Sequence, residues 1–194
     1  MNKNIEHYLF HKENFLEESF CDNSINELNK NDWEKHEWYY VQTDSSDTPQ
    51  GDNEPENLGS NLFSFDIEEI NNFILDKLHS TILEYIESLK FDWFDGWIGY
   101  SAIKFIRYSP GQTMKNHCDH IHDMFDGERR GIPILSIIGI LNDDYEGGEL
   151  IMFEDKKIDT KKGDLLIFPS NFLYPHEIMP VTKGARYSYV SWAW

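Results

Sequence analysis

The sequence predicts an α+β fold in which helices of the first half support strands of the second half. Residues 14–30 and 66–89 place apolar side chains at helical spacing, which predicts one amphipathic helix in each segment. From residue 96 onward, short apolar runs alternate with turns that contain glycine or proline. Helices followed by many short strands are typical of α+β folds and favour a sandwich or a jelly roll. The expected strands are residues 98–108, 132–142, 148–154, 163–168 and 185–193.

The chain length of 194 residues predicts a single domain. We expect residues 1–95 to form mostly helical support and residues 96–194 to form the jelly-roll core. Residues 43–61 are rich in Asp, Ser, Pro, Gly, Asn and Glu, a composition that predicts a flexible loop. Two further short strands are expected at residues 7–12 and 37–42.

The chain is strongly acidic, with 35 Asp and Glu residues against 17 Lys and Arg residues and a net charge of −18. Such a surface argues against nucleic acid as a partner, because phosphate binding requires a basic face. The simplest explanation of the charge is solubility. The alternative is a preference for neutral or basic substrates.

The sequence offers neither a secretory leader nor a membrane span, because no apolar segment is long enough. The two cysteines, Cys21 and Cys118, are far apart and predict no disulfide framework. We therefore expect a soluble, cytoplasmic protein without membrane contact, either a monomer or a dimer. Its many Asn, Lys and Ile residues are compatible with a bacterial or viral origin.

Three residues in the second half of the chain have the composition of a metal site. His117 and Asp119 are two positions apart, so at the end of a strand both side chains point to the same face. His176 comes much later and must arrive from another strand. Two histidines and one carboxylate form the ligand set of a non-haem Fe(II) site, which leaves coordination positions open. Zinc sites more typically use cysteine or three protein ligands and a water.

Arg186 follows His176 by ten residues. A fixed guanidinium near the metal suits a co-substrate with two carboxylates. Taken singly, each histidine could be a buried structural residue. The combination of His117, Asp119, His176 and Arg186 at these spacings favours the metal site. A metal-binding protein with a jelly roll of the cupin type would not need this arginine. Such a non-enzymatic protein stays open as an alternative.

Four runs of the sequence resemble the 2-oxoglutarate- and Fe(II)-dependent oxygenases, and among them the prolyl 4-hydroxylase-like subgroup. The runs are residues 107–119, 137–150, 163–169 and 176–188. The resemblance implies a double-stranded β-helix, or jelly roll, with supporting N-terminal helices packed on one sheet. It covers residues 98–194 most strongly.

The resemblance also implies roles for individual residues. The iron ligands would be His117, Asp119 and His176. Arg186 would pair with the distal carboxylate of 2-oxoglutarate, and Tyr108 and Ser188 would help to hold it. Trp192 would lie near the substrate, and so would Arg129 if its loop overhangs the iron. Ile140 is a departure, because many prolyl hydroxylases have a tyrosine there.

The implied activity is hydroxylation of prolyl residues in peptides or proteins, as in procollagen-proline 4-dioxygenases. Fe(II), 2-oxoglutarate and O2 would take part, with ascorbate as a candidate reductant, and no catalytic side chain is needed beyond the metal ligands. Another protein side chain, a free amino acid or a small metabolite stays open as the substrate. In the peptide case, the loop 43–61 could close over the substrate as a lid.

Overall fold

The computed structural model describes residues 4–36, 53–59, 65–94, 96–119 and 133–194. The strand predicted at 37–42 lies outside these ranges, as does most of the loop predicted at 43–61.

Two α-helices occupy the segments where helical spacing predicted them. Helix α1 is Glu18–Leu28 and helix α2 is Phe65–Leu89. A short 3-10 helix, Ile5–Tyr8, covers part of the strand predicted at 7–12. No helix of the described residues is long and apolar enough to cross a membrane.

The described residues form thirteen strands. In chain order they are β1 (Phe10–Lys12), β2 (Glu34–Lys35), β3 (Glu56–Gly59), β4 (Lys104–Tyr108), β5 (Met114–His117), β6 (Leu135–Ile140), β7 (Glu146–Gly147), β8 (Leu150–Met152), β9 (Lys156–Ile158), β10 (Leu165–Pro169), β11 (His176–Ile178), β12 (Val181–Lys183) and β13 (Arg186–Ala193). The larger sheet has the order β1-β10-β6-β13-β4-β3-β2, and a four-stranded sheet has the order β5-β11-β8-β9. Strands β12 and β7 pair separately. This arrangement of antiparallel strands is compatible with the predicted jelly roll.

Strand β3 corrects the prediction of a continuous loop over residues 43–61. Residues 56–59 pair antiparallel with β4, with Glu56 opposite Arg107. The Glu56 carboxylate accepts a hydrogen bond of 2.7 Å from Arg107 Nε, which joins the two strands at their ends. Local composition did not reveal this strand, because a strand this short is defined by the strands it pairs with, here β4 and β2, rather than by its own residues.

The buried side chains form two clusters on opposite faces of the larger sheet. Strand β6 contributes to both, because its successive side chains alternate between faces. Leu135 and Ile137 pack with helical residues such as Ile74, whereas Ile138 and Ile140 pack in the second cluster, which also contains residues of the smaller sheet. A strand buried on both faces is apolar throughout, which explains why this run shows no period-2 pattern.

The N-terminal segment is fastened to the larger sheet by Asp164, which is only 3% exposed. His11 Nε2 donates to its carboxylate at 2.9 Å. The backbone amides of Asn14 and Lys161 donate to the same carboxylate at 3.1 and 2.9 Å. Both oxygens of this buried carboxylate are therefore satisfied, as expected of a structural group.

Gly139 on β6 makes room for the ring of Tyr189 on β13. A Cβ atom at Gly139 would lie 1.9 Å from Tyr189 Cζ, far inside van der Waals contact. Tyr189 is fully buried, and its hydroxyl has no hydrogen-bond partner among the described residues. Burial raises the pKa of this hydroxyl well above its ordinary value.

Gly139→Ala should therefore destabilise the protein, by about 2 kcal/mol or more, because the buried ring has no space to move into. For a chain of this size, the melting temperature should fall by about 4–8 °C. Tyr189→Phe is the matched control. Because it removes a hydroxyl without a partner, it should leave the melting temperature unchanged or raise it slightly. Equal melting temperatures for wild type and Gly139→Ala would contradict this packing.

Candidate metal centre

The two histidines of the predicted site face each other across a pair of antiparallel strands. His117 is the last residue of β5 and His176 is the first residue of β11, and the two are directly opposite in the register. Their ring centroids are 4.4 Å apart. Strand pairing thus brings together two residues that are far apart in the sequence.

A β-bulge in β5 sets the direction of His117. On β11, one residue separates His176 from Ile178, whereas two residues separate their partners His117 and Met114 on β5. The extra residue in β5 interrupts the alternation of side chains along the strand. Met114 and His117 can therefore lie on the same face of the sheet, opposite Ile178 and His176 of β11.

Asp119 completes the cluster from the segment that follows β5. Its Oδ1 atom is 3.5 Å from His117 Nε2 and 3.9 Å from His176 Nε2. One ligand atom from each residue can be chosen so that all three lie within 4.8 Å of one another. The hydroxyl of Ser170 donates a hydrogen bond of 2.9 Å to the Asp119 carbonyl, which fixes the backbone of this segment.

Backbone carbonyls fix the orientation of both imidazole rings. Nδ1 of His117 lies 2.8 Å from the Lys115 carbonyl, and Nδ1 of His176 lies 3.1 Å from the Tyr174 carbonyl. A carbonyl oxygen only accepts, so the proton of each neutral ring lies on Nδ1. Each Nε2 then carries the lone pair and points toward Asp119. Metal-binding histidines are held by the same kind of hydrogen bond, so the site fits a metal such as Fe(II).

The charges of the three groups are strongly coupled. Burial raises the pKa of Asp119, but the charges of His176 and His117 in their protonated forms, and the hydrogen bond that a protonated His117 donates from Nε2, lower it well below its ordinary value. Burial lowers the pKa of His117, and the hydrogen bond and charge of Asp119 overcome this effect, so that the net pKa is raised. Burial dominates at His176 and lowers its pKa. An ionised Asp119 and a neutral His176 are in the protonation states that a metal requires, whereas a protonated His117 would release its Nε2 proton when a metal binds.

Arg186 is a buried cation without an acidic partner among the described residues. It is 1% exposed and is the first residue of β13, opposite Tyr108 on β4. Its Nη1 donates to the Ser188 hydroxyl at 2.9 Å, and its Nε has no hydrogen-bond partner in the described part of the chain. Its guanidinium carbon lies 5.2 Å from the centroid of the Tyr108 ring. A buried guanidinium in this state fits an anionic ligand such as a carboxylate.

The structure places Tyr108 and Ser188, to which the resemblance assigned a role in holding the co-substrate, beside Arg186. Tyr108 is 2% exposed, and burial raises the pKa of its hydroxyl to about 12. The phenol is thus a neutral donor at physiological pH, and the Ser188 hydroxyl is a second donor beside the guanidinium. Their contact with a co-substrate remains a prediction.

Asn142 positions Arg186, a role that the sequence analysis missed. Its Nδ2 donates to the Ala185 carbonyl at 2.7 Å, and its Oδ1 accepts from the Tyr187 amide at 2.7 Å. The Asn142 side chain thereby holds the backbone on both sides of Arg186. Gly148 leaves space for the arginine, because a Cβ atom there would lie 3.2 Å from Arg186 Cδ.

The two residues predicted to lie near the substrate are Trp192 and Arg129. Trp192 lies on β13 opposite Ser136 of β6. Trp192 Nε1 is buried without a hydrogen-bond partner among the described residues. The buried hydroxyl of Ser136 lies close enough to Asp119 to help lower the pKa of its carboxyl. Arg129 lies outside the described ranges. The sequence analysis did not single out Ser136, although a serine within an apolar run was a detectable departure.

Comparisons with known proteins show which sequences and folds this chain resembles. Residues 103–194 match the model of the 2OG-Fe(II) oxygenase superfamily. A PKHD-type hydroxylase of Stenotrophomonas maltophilia is 35% identical over 98 residues, which are 48% of this chain and 43% of the relative. A PKHD-type hydroxylase of Delftia acidovorans is 31% identical over 133 residues, which are 64% of this chain and 54% of the relative. The chain thus spans about half the length of the curated relatives it matches.

Solved structures of prolyl hydroxylases have a similar fold. A viral collagen prolyl hydroxylase from Paramecium Bursaria Chlorella virus-1 aligns with a TM-score of 0.64 and 20% identity, over 96% of this chain and 94% of its own. A prolyl hydroxylase from Trichoplax adhaerens, in complex with a hypoxia inducible factor peptide fragment, aligns with a TM-score of 0.67 and 18% identity, over 97% of this chain and 84% of its own. At these identities the likeness shows the fold alone. Together with the superfamily match, it confirms the resemblance that the motifs predicted.

Removal of one histidine should abolish tight metal binding. His176→Ala should weaken the affinity for Mn(II), an air-stable probe for Fe(II), by about 100-fold or more. In wild type, Mn(II) at 100 times its Kd should raise the free energy of unfolding by about 2.7 kcal/mol, and this gain should be absent in the variant. Calorimetric titration and thermal melting measure the two effects. His79→Ala, at an exposed histidine of α2, should bind Mn(II) like wild type. An Mn(II) affinity of His176→Ala equal to that of wild type would contradict the prediction that His176 is a metal ligand.

Arg186 should matter for 2-oxoglutarate and not for folding. Arg186→Met should weaken 2-oxoglutarate binding to the Mn(II)-loaded protein by about 10- to 100-fold, because a charge-assisted contact is lost. The same variant should melt at the wild-type temperature or above it, because a buried cation without an acidic partner is removed. Arg107→Met, at a cation paired with Glu56, is the control and should retain affinity. A large loss of stability with normal affinity in Arg186→Met would indicate a structural arginine instead.

Proposed function

We propose, starting from the match of residues 103–194 to the model of the 2OG-Fe(II) oxygenase superfamily, that this chain is a dioxygenase that hydroxylates prolyl residues in peptides or proteins. It would use Fe(II), 2-oxoglutarate and O2, with ascorbate as the external reductant. The metal ligands would be His117, Asp119 and His176.

One observation supports the proposal above all others. A ligand cluster with its histidine tautomers fixed occurs in the same jelly roll as a buried arginine that has no acidic partner among the described residues. The two are structurally linked, because Arg186 pairs with Tyr108 at the end of β4, and the chain continues from there into β5 and His117. A cupin-like metal protein would explain the cluster but would leave the cost of burying Arg186 unexplained.

Bound Fe(II), with 2-oxoglutarate and O2, supplies the oxidising power to hydroxylate an unactivated C–H bond, while 2-oxoglutarate is converted to succinate and CO2. The protein supplies binding and orientation. The Lys115 and Tyr174 carbonyls keep each Nε2 available, and an ionised Asp119 adds a negative charge. Arg186, Ser188 and Tyr108 offer donors to a carboxylate. No side chain of this set needs to transfer a proton.

Apolar side chains surround part of the predicted metal site and would limit the access of water. Phe168 lies edge-on to the His176 ring at 5.4 Å, and the buried cluster around it contains Ile138, Ile140 and Met152. In such surroundings the attraction between Arg186 and a carboxylate is little screened by solvent. Ile140 offers no hydroxyl, so Tyr108 and Ser188 would be the neutral donors that accompany the arginine.

The prolyl substrate is proposed by analogy with the structural neighbours. These include a viral collagen prolyl hydroxylase, a Pseudomonas putida prolyl-4-hydroxylase and the Trichoplax enzyme with its bound peptide fragment. Fold likeness raises the expectation of a peptide substrate without identifying it.

The test is succinate release from 2-oxoglutarate with anaerobically loaded Fe(II), screened against proline-containing peptides and free amino acids. We expect metal-dependent turnover that one class of prolyl peptide stimulates. His176→Ala should lower this turnover by about 1000-fold or more, because the metal is lost. His79→Ala should leave it intact.

Two results would change the proposal in different ways. Turnover that a free amino acid stimulates, and no peptide does, would retain the chemistry and replace the substrate. Tight metal binding without 2-oxoglutarate binding and without turnover would overturn the oxygenase and favour the cupin-like alternative.

A further inference from the structure

Glu54 is a buried carboxylate that the proposed chemistry does not use. It is 2% exposed and precedes strand β3. Its Oε2 atom has no hydrogen-bond partner in the described part of the chain. Its Oε1 atom is 3.6 Å from the ammonium of Lys115, which is too long for a hydrogen bond. The Lys115 side chain is itself 50% exposed.

Asp164 shows what a structural carboxylate looks like in this protein. It is buried to a similar degree, yet three hydrogen bonds satisfy its two oxygens. Among the described residues, the side chain of Glu54 has a single polar contact, the long one with Lys115. A buried carboxylate with an unsatisfied oxygen is unfavourable, and such groups persist where function requires them.

The backbone places Glu54 beside the metal cluster. The Asn53 carbonyl accepts a hydrogen bond of 2.9 Å from the Thr113 amide, which fastens this segment to the residues just before β5. The cation beside Glu54, Lys115, lies two residues before His117, and its carbonyl orients the His117 ring. Burial is the main reason why the pKa of Tyr108 is raised. The charge of Arg186 opposes this effect, and the negative charge of Glu54 adds to it. Glu54 therefore lies close enough to the predicted metal ligand His117 and to the predicted co-substrate residue Tyr108 for its charge to act on both.

The chemistry of the site limits what Glu54 can bind. An ionised carboxylate accepts hydrogen bonds and attracts cations. At neutral pH, 2-oxoglutarate has two carboxylates and a keto oxygen, so it offers only acceptors and would be repelled. Glu54 is also not part of the ligand cluster formed by His117, Asp119 and His176. No group of the described residues complements both oxygens of Glu54, and a cationic group of the substrate would do so.

We propose that Glu54 is the recognition carboxylate for a positively charged nitrogen of the substrate, which replaces the Lys115 ammonium when the substrate binds. A prolyl residue within a peptide has no N–H, so the cation belongs to a lysine or arginine next to the target proline. A free amino acid would supply the same chemistry through its own ammonium. The net charge of −18 attracts such substrates over a longer range. This inference rests on the proposed function and names its substrate class.

The test is the binding of fluorescent prolyl peptides to the protein loaded with Mn(II) and 2-oxoglutarate, followed by anisotropy. Three peptides carry Lys, Ala or Glu next to the proline, and free L-proline and L-lysine serve as competitors. Wild type should bind the Lys peptide about 10-fold more tightly than the Ala peptide, and the Glu peptide most weakly.

Two variants should change this preference in opposite directions. Glu54→Gln keeps the shape and removes the charge, and should bring the Lys and Ala peptides to within about 2-fold of each other. Lys115→Met removes the competing cation and should strengthen binding of the Lys peptide. Glu56→Gln, on the adjacent strand β3, is the control and should retain the wild-type preference. If Glu54→Gln fails to fold, the peptide preference of wild type and the affinity of Lys115→Met for the Lys peptide still test whether Glu54 binds a cation.

Recognition by Glu54 is overturned if wild type shows no preference among the three peptides, or if Glu54→Gln retains the preference. It is also overturned if wild type binds 2-oxoglutarate but none of the peptides or amino acids. Displacement by a free amino acid, lost in Glu54→Gln, would support the carboxylate and assign the cation to that source. Failure of the proposed function is distinct, because the Mn(II)-loaded protein would then not bind 2-oxoglutarate at all.

Discussion

The pairing of β5 with β11 is the constraint on which the site depends. It places His176 opposite His117. The bulge in β5 allows the side chains of Met114 and His117 to lie on the same face of the sheet. The carbonyls that fix the two rings come from residues two positions earlier, in the same strand or directly before it. A shift of this register by one residue would turn the side chains of β11 to the other face and dissolve the ligand cluster.

Buried charges are treated in two ways in this protein. Asp164 has hydrogen bonds to both oxygens and fastens the N-terminal segment to the larger sheet. Arg186 and Glu54 are equally buried, but each has a polar atom without a partner among the described residues. Because unsatisfied buried charge is costly, we infer that each of these two groups binds a ligand of opposite charge. An anion site and a cation site close to the same cluster would orient a co-substrate and a substrate toward one metal.

The sequence predicted those features that depend on local pattern or on rare combinations of residues. Helical spacing located α1 and α2, and the set of His117, Asp119, His176 and Arg186 located the site. What it missed depends on contacts between distant residues. Strand β3 exists because β4 pairs with it, although its composition is typical of a loop. The burial of Glu54 likewise follows from no local sequence pattern. The side-chain amide of Asn142 forms hydrogen bonds with backbone groups that are 43 and 45 residues away in the sequence.

The most direct test of this account is anomalous diffraction from crystals of the protein grown with Mn(II) and 2-oxoglutarate. The account predicts one strong anomalous peak bound by Nε2 of His117, Nε2 of His176 and the Asp119 carboxylate. It also predicts a bound 2-oxoglutarate whose distal carboxylate meets the Arg186 guanidinium. A metal ligated through Nδ1, or a 2-oxoglutarate bound away from Arg186, would contradict the account, because the fixed tautomers and the buried arginine would then serve no common site.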